Sequence, residues 1–400
     1  MTFVISFMPS PEEIKPKDSL ANEATPVNDA FTRLEQKFLN PQGVNAKFDL
    51  LLDKIRGISV EEKIFFTQNL GVMLKSGLAV SRALRTLTLQ SSNPKFKRAL
   101  FRVARQVEKG VTLSEAMSAF PNIFSIIFVN MIKAGEAAGQ MEEVLTELTQ
   151  QLKKSHELKQ KVKGALMYPA AILIAMTGIG GGMLVFVVPK LLSIFKEMNV
   201  VLPLPTRILI GLSDGVNDHI LIIAPLALAA VGGLLYAVRT RPGKKIWHTI
   251  ILNLPVIKKI ATKINLANIA RTLGSLLATD LPVVASLKLS AQVIKNEHFR
   301  ASLNAIAEQV EKGRKISEEM LKFEKLYPPV VEQMVAVGEE TGEISKILKD
   351  LAEFYEEDVN QTMDSLPALI EPILILLLGG AVGGMAVAII LPMYSLSQAV

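Results

Sequence analysis

The chain carries one stretch of sequence twice, and any fold must accommodate both copies. Residues 105–120, RQVEKGVTLSEAMSAF, align with residues 308–323, EQVEKGRKISEEMLKF, with 9 identities in 16 positions. The register, an offset of 203, holds without a gap. Leu70-Gly71 meets Leu273-Gly274, Met131 meets Met334, and Gly135-Glu136 meets Gly338-Glu339. Gly139 meets Gly342, Leu145 meets Leu348, Pro169 meets Pro372, and Pro189 meets Pro392. Each copy ends in a run free of Asp, Glu, Lys and Arg: Gly164–Pro189 and Pro372–Val400. A third such run, His219–Val238, stands outside the repeat. About 20 apolar helical residues cross a hydrocarbon core of roughly 30 Å, and each run is long enough. The expected fold is an all-α integral membrane protein with two homologous cytoplasmic helical bundles and three transmembrane helices. The two repeat helices run the same way, unlike the inverted repeats common in transporters.

Composition supports this. Half of the 400 residues are hydrophobic and only 20 % are charged, with a net charge of +6 and a mean hydropathy of +0.34. Those values exclude a soluble monomer and widespread disorder. The absence of cysteine excludes disulfides, thiolate-bound metals and cysteine nucleophiles. Charge then sets orientation. Lys153, Lys154, Lys159, Lys161 and Lys163 precede the first run. Arg239, Arg241, Lys244, Lys245, Lys258, Lys259 and Lys263 follow the second with no acid among them. The positive-inside rule places both large segments in the cytoplasm.

The expected organisation is a flexible leader over 1–57, a first bundle over 58–163 and a transmembrane helix over 164–189. An external loop over 190–218 and a second span over 219–238 follow. A basic linker with the second bundle covers 239–364, a third span 365–392, and a short external tail 393–400. Met1–Phe7 is too short for the apolar core of a signal peptide, so no export signal is expected there. Within the leader, Phe31–Phe38 and Phe48–Ile55 read as short amphipathic helices.

Breakers and caps divide the first bundle. Ser59-x-x-Glu62 and Thr112-x-x-Glu115 have the capping-box pattern, in which the hydroxyl accepts from a free N–H and the Glu returns a bond. Ser76-Gly77, Ser91–Pro94, Gly110 and Phe120-Pro121 end successive helices. Ala79–Gln90 presents Ala83, Leu84 and Leu87 on one face. Ile123–Lys133 reads as an apolar helix, and a long helix over Met141–Lys163 leads toward the membrane.

No catalytic constellation is present. The four histidines, His156, His219, His248 and His298, have no metal-ligand spacing. No phosphate-binding loop, nucleophile elbow or zincin motif occurs, so neither a cofactor nor a metal is expected. Gly178-xxx-Gly182, Gly379-xxx-Gly383 and Gly380-xxx-Gly384 lie in the membrane runs, where the missing Cβ favours close helix packing within or between protomers. No charged residue lies deep in a run, which argues against an ion-coupled transporter. The turns Gly135-Glu136 to Gly139 and Gly338-Glu339 to Gly342 allow two readings. Gly135 and Gly338 end a helix in the left-handed region, with the glutamate capping the next helix, or the pair forms a surface that docks a partner.

Together these motifs resemble the inner-membrane platform proteins of type II secretion systems and type IV pilus assembly, the general secretion pathway protein F family (GspF/PilC type). The residues that carry the resemblance are Leu74–Leu78 with Ala83-Leu84, Met131–Gly139 with Val144-Leu145, and Lys163–Pro169 with Tyr168-Pro169 where the chain enters the membrane. Val187–Pro189 where it leaves, Leu202–Thr206 in the outer loop, and Val337–Gly342 complete the set. Pro372 and Pro392 mark the corresponding points of the second copy. One departure is Thr279-Asp280, which replaces Ser76-Gly77. The resemblance implies a non-enzymatic platform in a prokaryotic inner membrane. Its implied partners are a hexameric secretion ATPase, pilins or pseudopilins, other inner-membrane assembly proteins, membrane lipid and further copies of itself, but not nucleic acid. A small-molecule transporter or a membrane-anchored signalling adaptor are the competing classes.

Overall fold

In the computed structural model the described residues are 25–39, 57–190, 203–219 and 255–397, with isolated positions between 222 and 249. Among them every regular element is helical. The chain divides into two compact units, Met1–Thr149 and Gln150–Val400.

The first unit holds helices α1 (Thr25–Leu39), α2 (Val60–Lys75), α3 (Val80–Gln90), α4 (Pro94–Glu108), α5 (Leu113–Ser118) and α6 (Ile126–Ala138). It also holds the start of α7 (Met141–Gly182). Helix α1 lies in the stretch expected to be a flexible leader, and Phe31 explains its order. That ring is 3 % exposed, stacks on Phe101 at 5.0 Å and receives the Arg85 guanidinium 5.2 Å above it. Phe48–Ile55 lies outside the described residues. The core proper is built from Phe66, Leu70, Leu84, Phe96, Leu100 and Met131, all fully buried.

Local chemistry places the helix ends. The Ser59 hydroxyl accepts from the Glu62 N–H at 3.1 Å. The expected return bond from Glu62 is not made. Its carboxylate instead accepts from the Ser91 hydroxyl at 2.9 Å and the Asn93 N–H at 3.1 Å. The turn between α3 and α4 supplies those donors outside any helical ladder, and a charged acceptor serves them better than it serves a helix end already capped. Helix α6 starts at Ile126 rather than Ile123. Ser125 caps it by accepting from Phe128 N–H at 3.3 Å, while Ile123 and Phe124 donate back to the Phe120 carbonyl in a turn.

The second unit repeats this order. It contains α8 (Leu204–Asp218), α9 (Pro255–Leu277), α10 (Val283–Val293), α11 (Glu297–Val310), α12 (Ile316–Met320), α13 (Pro329–Thr341) and α14 (Ile344–Ser397). Thr279-Asp280 keeps the turn of Ser76-Gly77. Asp280 adopts φ 55 where Gly77 has φ 78, a left-handed conformation that Asp tolerates better than most side chains. Helices α9 and α14 are locked by a buried bidentate pair, Arg271 to Glu356 at 2.8 and 2.7 Å, and by Lys263 to Asp358 at 2.7 Å. At the positions of Arg271 and Glu356 the first copy has Gln68 and Lys153, so this lock belongs to the second copy alone.

Among the described residues two helices are long and apolar enough to cross a membrane, Met141–Lys190 and Ile344–Leu391. Only 6 % and 11 % of their most apolar windows are buried, unlike the core helix of a soluble protein. The first includes a wider π-helical turn over Met183–Val187. Of the second span expected at 219–238, the structure describes His219, Ile222, Pro225, Leu226, Ala229, Gly232, Gly233 and Tyr236, all but His219 helical.

The duplication also records a paired exchange in the core. Phe96 and Phe124 pack at 6.2 Å with Ala99 nearby in sequence; at the equivalent positions the second copy has Phe299, Tyr327 and Ser302. The buried Tyr327 hydroxyl sits 2.8 Å from the Ser302 hydroxyl, which donates to the Phe299 carbonyl at 2.9 Å. Burial pushes the Tyr327 hydroxyl's pKa upward, against a smaller opposing effect of Ser302. Ser302→Ala should therefore destabilise the chain by about 1–3 kcal/mol, the desolvation penalty of an unpaired buried group. Adding Tyr327→Phe, which restores the first copy's pair, should recover most of that loss. Denaturant unfolding of the detergent-solubilised protein measures both.

Candidate functional site: the paired glutamate junctions

Helix α5 has six residues, too few to be stable alone. Its first N–H groups have no partner within the helix. Thr112 covers one end by accepting from the Glu115 N–H at 3.3 Å. The remaining donors turn to α6. Glu136 Oε1 accepts from the Leu113 N–H, and Oε2 accepts from the Ser114 N–H at 2.9 Å and from the Ser114 hydroxyl. One carboxylate thus ties the N-terminus of α5 to the last turn of α6.

The second copy repeats the junction residue for residue. Glu339 Oε1 accepts from the Ile316 N–H at 2.6 Å, and Oε2 accepts from the Ser317 N–H at 3.0 Å and its hydroxyl at 2.5 Å. Here the residue at the Thr112 position is Lys315, which supplies no side-chain cap. Glu339 therefore carries a larger share of the α12 terminus.

The glutamates cap the preceding short helix, not the next one. The adjoining glycines differ from expectation in the same way. Gly135 and Gly338 lie inside α6 and α13 rather than at their ends. They serve close approach: a Cβ on Gly135 would lie 2.9 Å from Val144 Cγ2, and one on Gly338 would lie 3.0 Å from Ile344 Cα. The left-handed residues that end these helices are Gly139 at φ 71 and Gly342 at φ 74. The next helix starts in tight contact because the last turn of the previous one has no side chain at Gly135 or Gly338. The same logic applies one layer away, where Gly71 faces Leu145 and Gly274 faces Leu348.

The other expected positions are scattered along the long helices. Pro169 and Pro372 sit inside unbroken helical runs, with Tyr168 exposed beside the first and Glu371 exposed beside the second. Pro189 lies at the end of the Met141–Lys190 helix, and Pro392 lies within α14. No described atom comes within 4 Å of a Cβ built on Gly178, Gly182, Gly379, Gly380, Gly383 or Gly384. Among the described residues no group of His, Asp and Glu has the arrangement of a metal site.

Comparison with known proteins bears on both copies. The family model for type II secretion system (T2SS) protein F matches residues 66–189 and again 269–392. The chain belongs to the type II secretion system protein F family. Residue 66 to 269 and residue 189 to 392 are both steps of 203, the offset of the internal repeat. Among similar proteins, a type IV pilus assembly protein PilC of Myxococcus xanthus is 30 % identical over 382 residues, covering 94 % of this chain and 91 % of that protein. A protein of the same description from Thermus thermophilus is 32 % identical over 341 residues, 85 % and 84 % of the two chains. Type II secretion system protein F of Pseudomonas aeruginosa is 30 % identical over 345 residues, 86 % and 85 %. Each glutamate junction lies wholly inside a stretch that matches the family.

Sequence inspection identified Glu136 and Glu339 but missed Ser114 and Ser317, which lie 22 residues upstream of their acceptors. A signal was available: a serine at the second helical position, retained in both copies.

Removing Glu339 takes the acceptor from two N–H donors and a hydroxyl; removing Glu136 takes it from two N–H donors, while the Ser114 hydroxyl keeps Thr112 Oγ1 at 3.3 Å. Glu136→Ala and Glu339→Ala should each destabilise by about 1.5–3 kcal/mol, the range for bonds to a charged group. The loss should be larger for Glu339, whose helix has no second cap. Glu→Gln should not fully rescue either, since in either orientation its amide NH2 would face at least one N–H donor. Gly338→Ala should add about 1–3 kcal/mol of overpacking because the obstructing atom is backbone. Denaturant midpoints of the solubilised variants give the ranking.

Proposed function

We propose that this chain is the inner-membrane platform of a type IV pilus or type II secretion assembly machine, and that it transmits work rather than performing chemistry. The observation that supports this most is the family match falling on both copies of the repeat, each a helical bundle running into one long apolar helix. On this reading the two bundles lie in the cytoplasm and engage a hexameric ATPase. The apolar helices meet pilins or pseudopilins and guide them out of the bilayer. Three spans, with the lysine- and arginine-rich flanks inside, give the required topology. The membrane glycines are the proposed contact points for neighbouring helices, from pilins or from further copies of the platform.

The glutamate junctions fit this role as internal braces. Their acceptor oxygens are committed to α5 and α12, so they hold the bundle faces in shape and leave the docking itself to other residues.

The test is affinity purification of the chain in mild detergent from cells that assemble the machine. A hexameric assembly ATPase and a pilin or pseudopilin should be retained together. Recovery of neither, with the chain folded and membrane-extracted, would overturn the reading. Reporter fusions after Lys163 and Lys263 should report cytoplasmic, and a fusion at Val400 external.

A further inference from the structure

The segment between the first two expected spans contains a helix with three distinct faces. Around α8, Thr206, Ser213 and Asn217 share one side. Leu204, Ile208 and Leu212 share a second, with Gly211 and Gly215 beside them. Arg207, Asp214 and Asp218 share a third. At 3.6 residues per turn each set recurs every four or seven positions.

The first face is fixed to the two long helices through their backbones. Thr206 donates to the Ala388 carbonyl at 2.6 Å, Ser213 donates to the Leu184 carbonyl at 2.7 Å, and Asn217 donates to the same carbonyl at 3.2 Å. Leu184 lies in the π-helical turn, where the wider ladder makes a carbonyl available. In the repeat register Leu184 corresponds to Val387, one residue from Ala388. The two anchor points are therefore at matching depth on the two repeat helices. They are seven residues apart along α8, about 10 Å of helix, which matches the usual 8–10 Å between packed helix axes. An element tied at equal depth to two parallel helices lies across them. Leu184 stands six residues, about 9 Å, short of Lys190, inside the charge-free run.

The second face is open. Leu204, Ile208 and Leu212 are 72, 62 and 57 % exposed. Exposed apolar side chains also flank both anchor points: Phe186 and Val187 follow Leu184 on one long helix, and Ile390 and Leu391 follow Ala388 on the other. The third face bears every charge of the helix.

We propose that α8 is an interfacial membrane helix rather than part of an aqueous loop: it lies across the ends of the two repeat helices, with Leu204, Ile208 and Leu212 seated in lipid and Arg207, Asp214 and Asp218 in water. A depth of about 5–10 Å is typical of such helices and matches that of its anchors. Lipid fits better than a protein partner because exposed apolar side chains flank the anchor points on both long helices and the charges are confined to one edge. This rests on the membrane reading of those helices, so the test includes a control for it.

The chain has no cysteine, so single replacements carry a nitroxide label without background. Ile208→Cys, Leu212→Cys, Asp214→Cys, Asp218→Cys and, on the first long helix, Ile174→Cys are labelled in the full chain and reconstituted into phosphatidylglycerol–phosphatidylethanolamine vesicles. Collision with oxygen, which partitions into lipid, is compared with collision with a water-soluble nickel chelate. The oxygen-to-nickel ratio at 208 and 212 should exceed that at 214 and 218 several-fold and approach that at 174. A low ratio at all four α8 positions with a high one at 174 overturns the proposal alone. Low collision with both reagents at 208 and 212 also overturns it, by showing the face covered by protein. A low ratio at 174 removes the membrane reading and the proposal with it.

Discussion

Hydrocarbon offers no partner for a backbone N–H or C=O, and the rest of this structure depends on that constraint. A segment crossing it must bond internally, which for a single segment means an unbroken helix. Here the unbroken helix does not stop at the bilayer. Helix α14 has 54 residues, about 80 Å at the usual rise, and its first half packs in a bundle core through Leu348, Leu351, Ala352, Tyr355 and Val359. The same peptide ladder that satisfies the membrane segment makes bundle and span one rod. Displacement of the bundle end therefore reaches the span without a flexible joint, a property any force-transmitting role requires.

The two copies share some devices and differ in others, and the division is informative. Shared are the glutamate junction, the close glycine contacts and the left-handed helix ends, all of which fix the path of the backbone. Private to the second copy are the Arg271–Glu356 pair and the Tyr327–Ser302 contact. Both are polar insertions into a core, each complete in itself. A buried carboxylate or hydroxyl is tolerated only with its partner, because losing one member of a buried ion pair costs about 3–5 kcal/mol. These two differences between the copies are each made in pairs, while the single change from Thr112 to Lys315 stands where another acceptor already serves the same helix end.

What was legible in the sequence followed from local rules. Helix ends at Ser59, Asn93 and Gly110 were readable because a cap acts within a few residues. The apolar runs were readable because length and lack of charge are properties of the string itself. The glutamates were visible as a repeated pair, yet their acceptor role was assigned to the wrong helix. A carboxylate at position 136 can reach any free N–H within a few ångströms, and nothing local says that α5, 22 residues upstream, folds back onto α6 rather than α7. For the same reason Glu62 was expected to close its own helix and instead serves a turn 29 residues downstream. Gly135 was read as a helix end because glycine often is one; packing against Val144, a tertiary fact, is what excludes a side chain there. The faces of α8 were present in the string, but a short loop between apolar runs invites a reading by charge alone.

Helix α8 shows how a long apolar helix can depart from regularity and still satisfy the membrane. The π-helical turn at Met183–Val187 presents a carbonyl that would be costly facing lipid. Two side chains from one neighbouring helix, Ser213 and Asn217, meet it. Thr206 does the same for Ala388 on the other repeat helix. A hydroxyl or amide gives a directional bond that apolar contact in lipid does not, since lipid tails compete equally for apolar surface. The register between the two repeat helices is thus set by polar atoms on a helix that belongs to neither copy. An element outside the duplication can bond the equivalent points of both halves only if those halves hold matching depth. The near coincidence of Leu184 and Ala388 in the repeat register is that condition met.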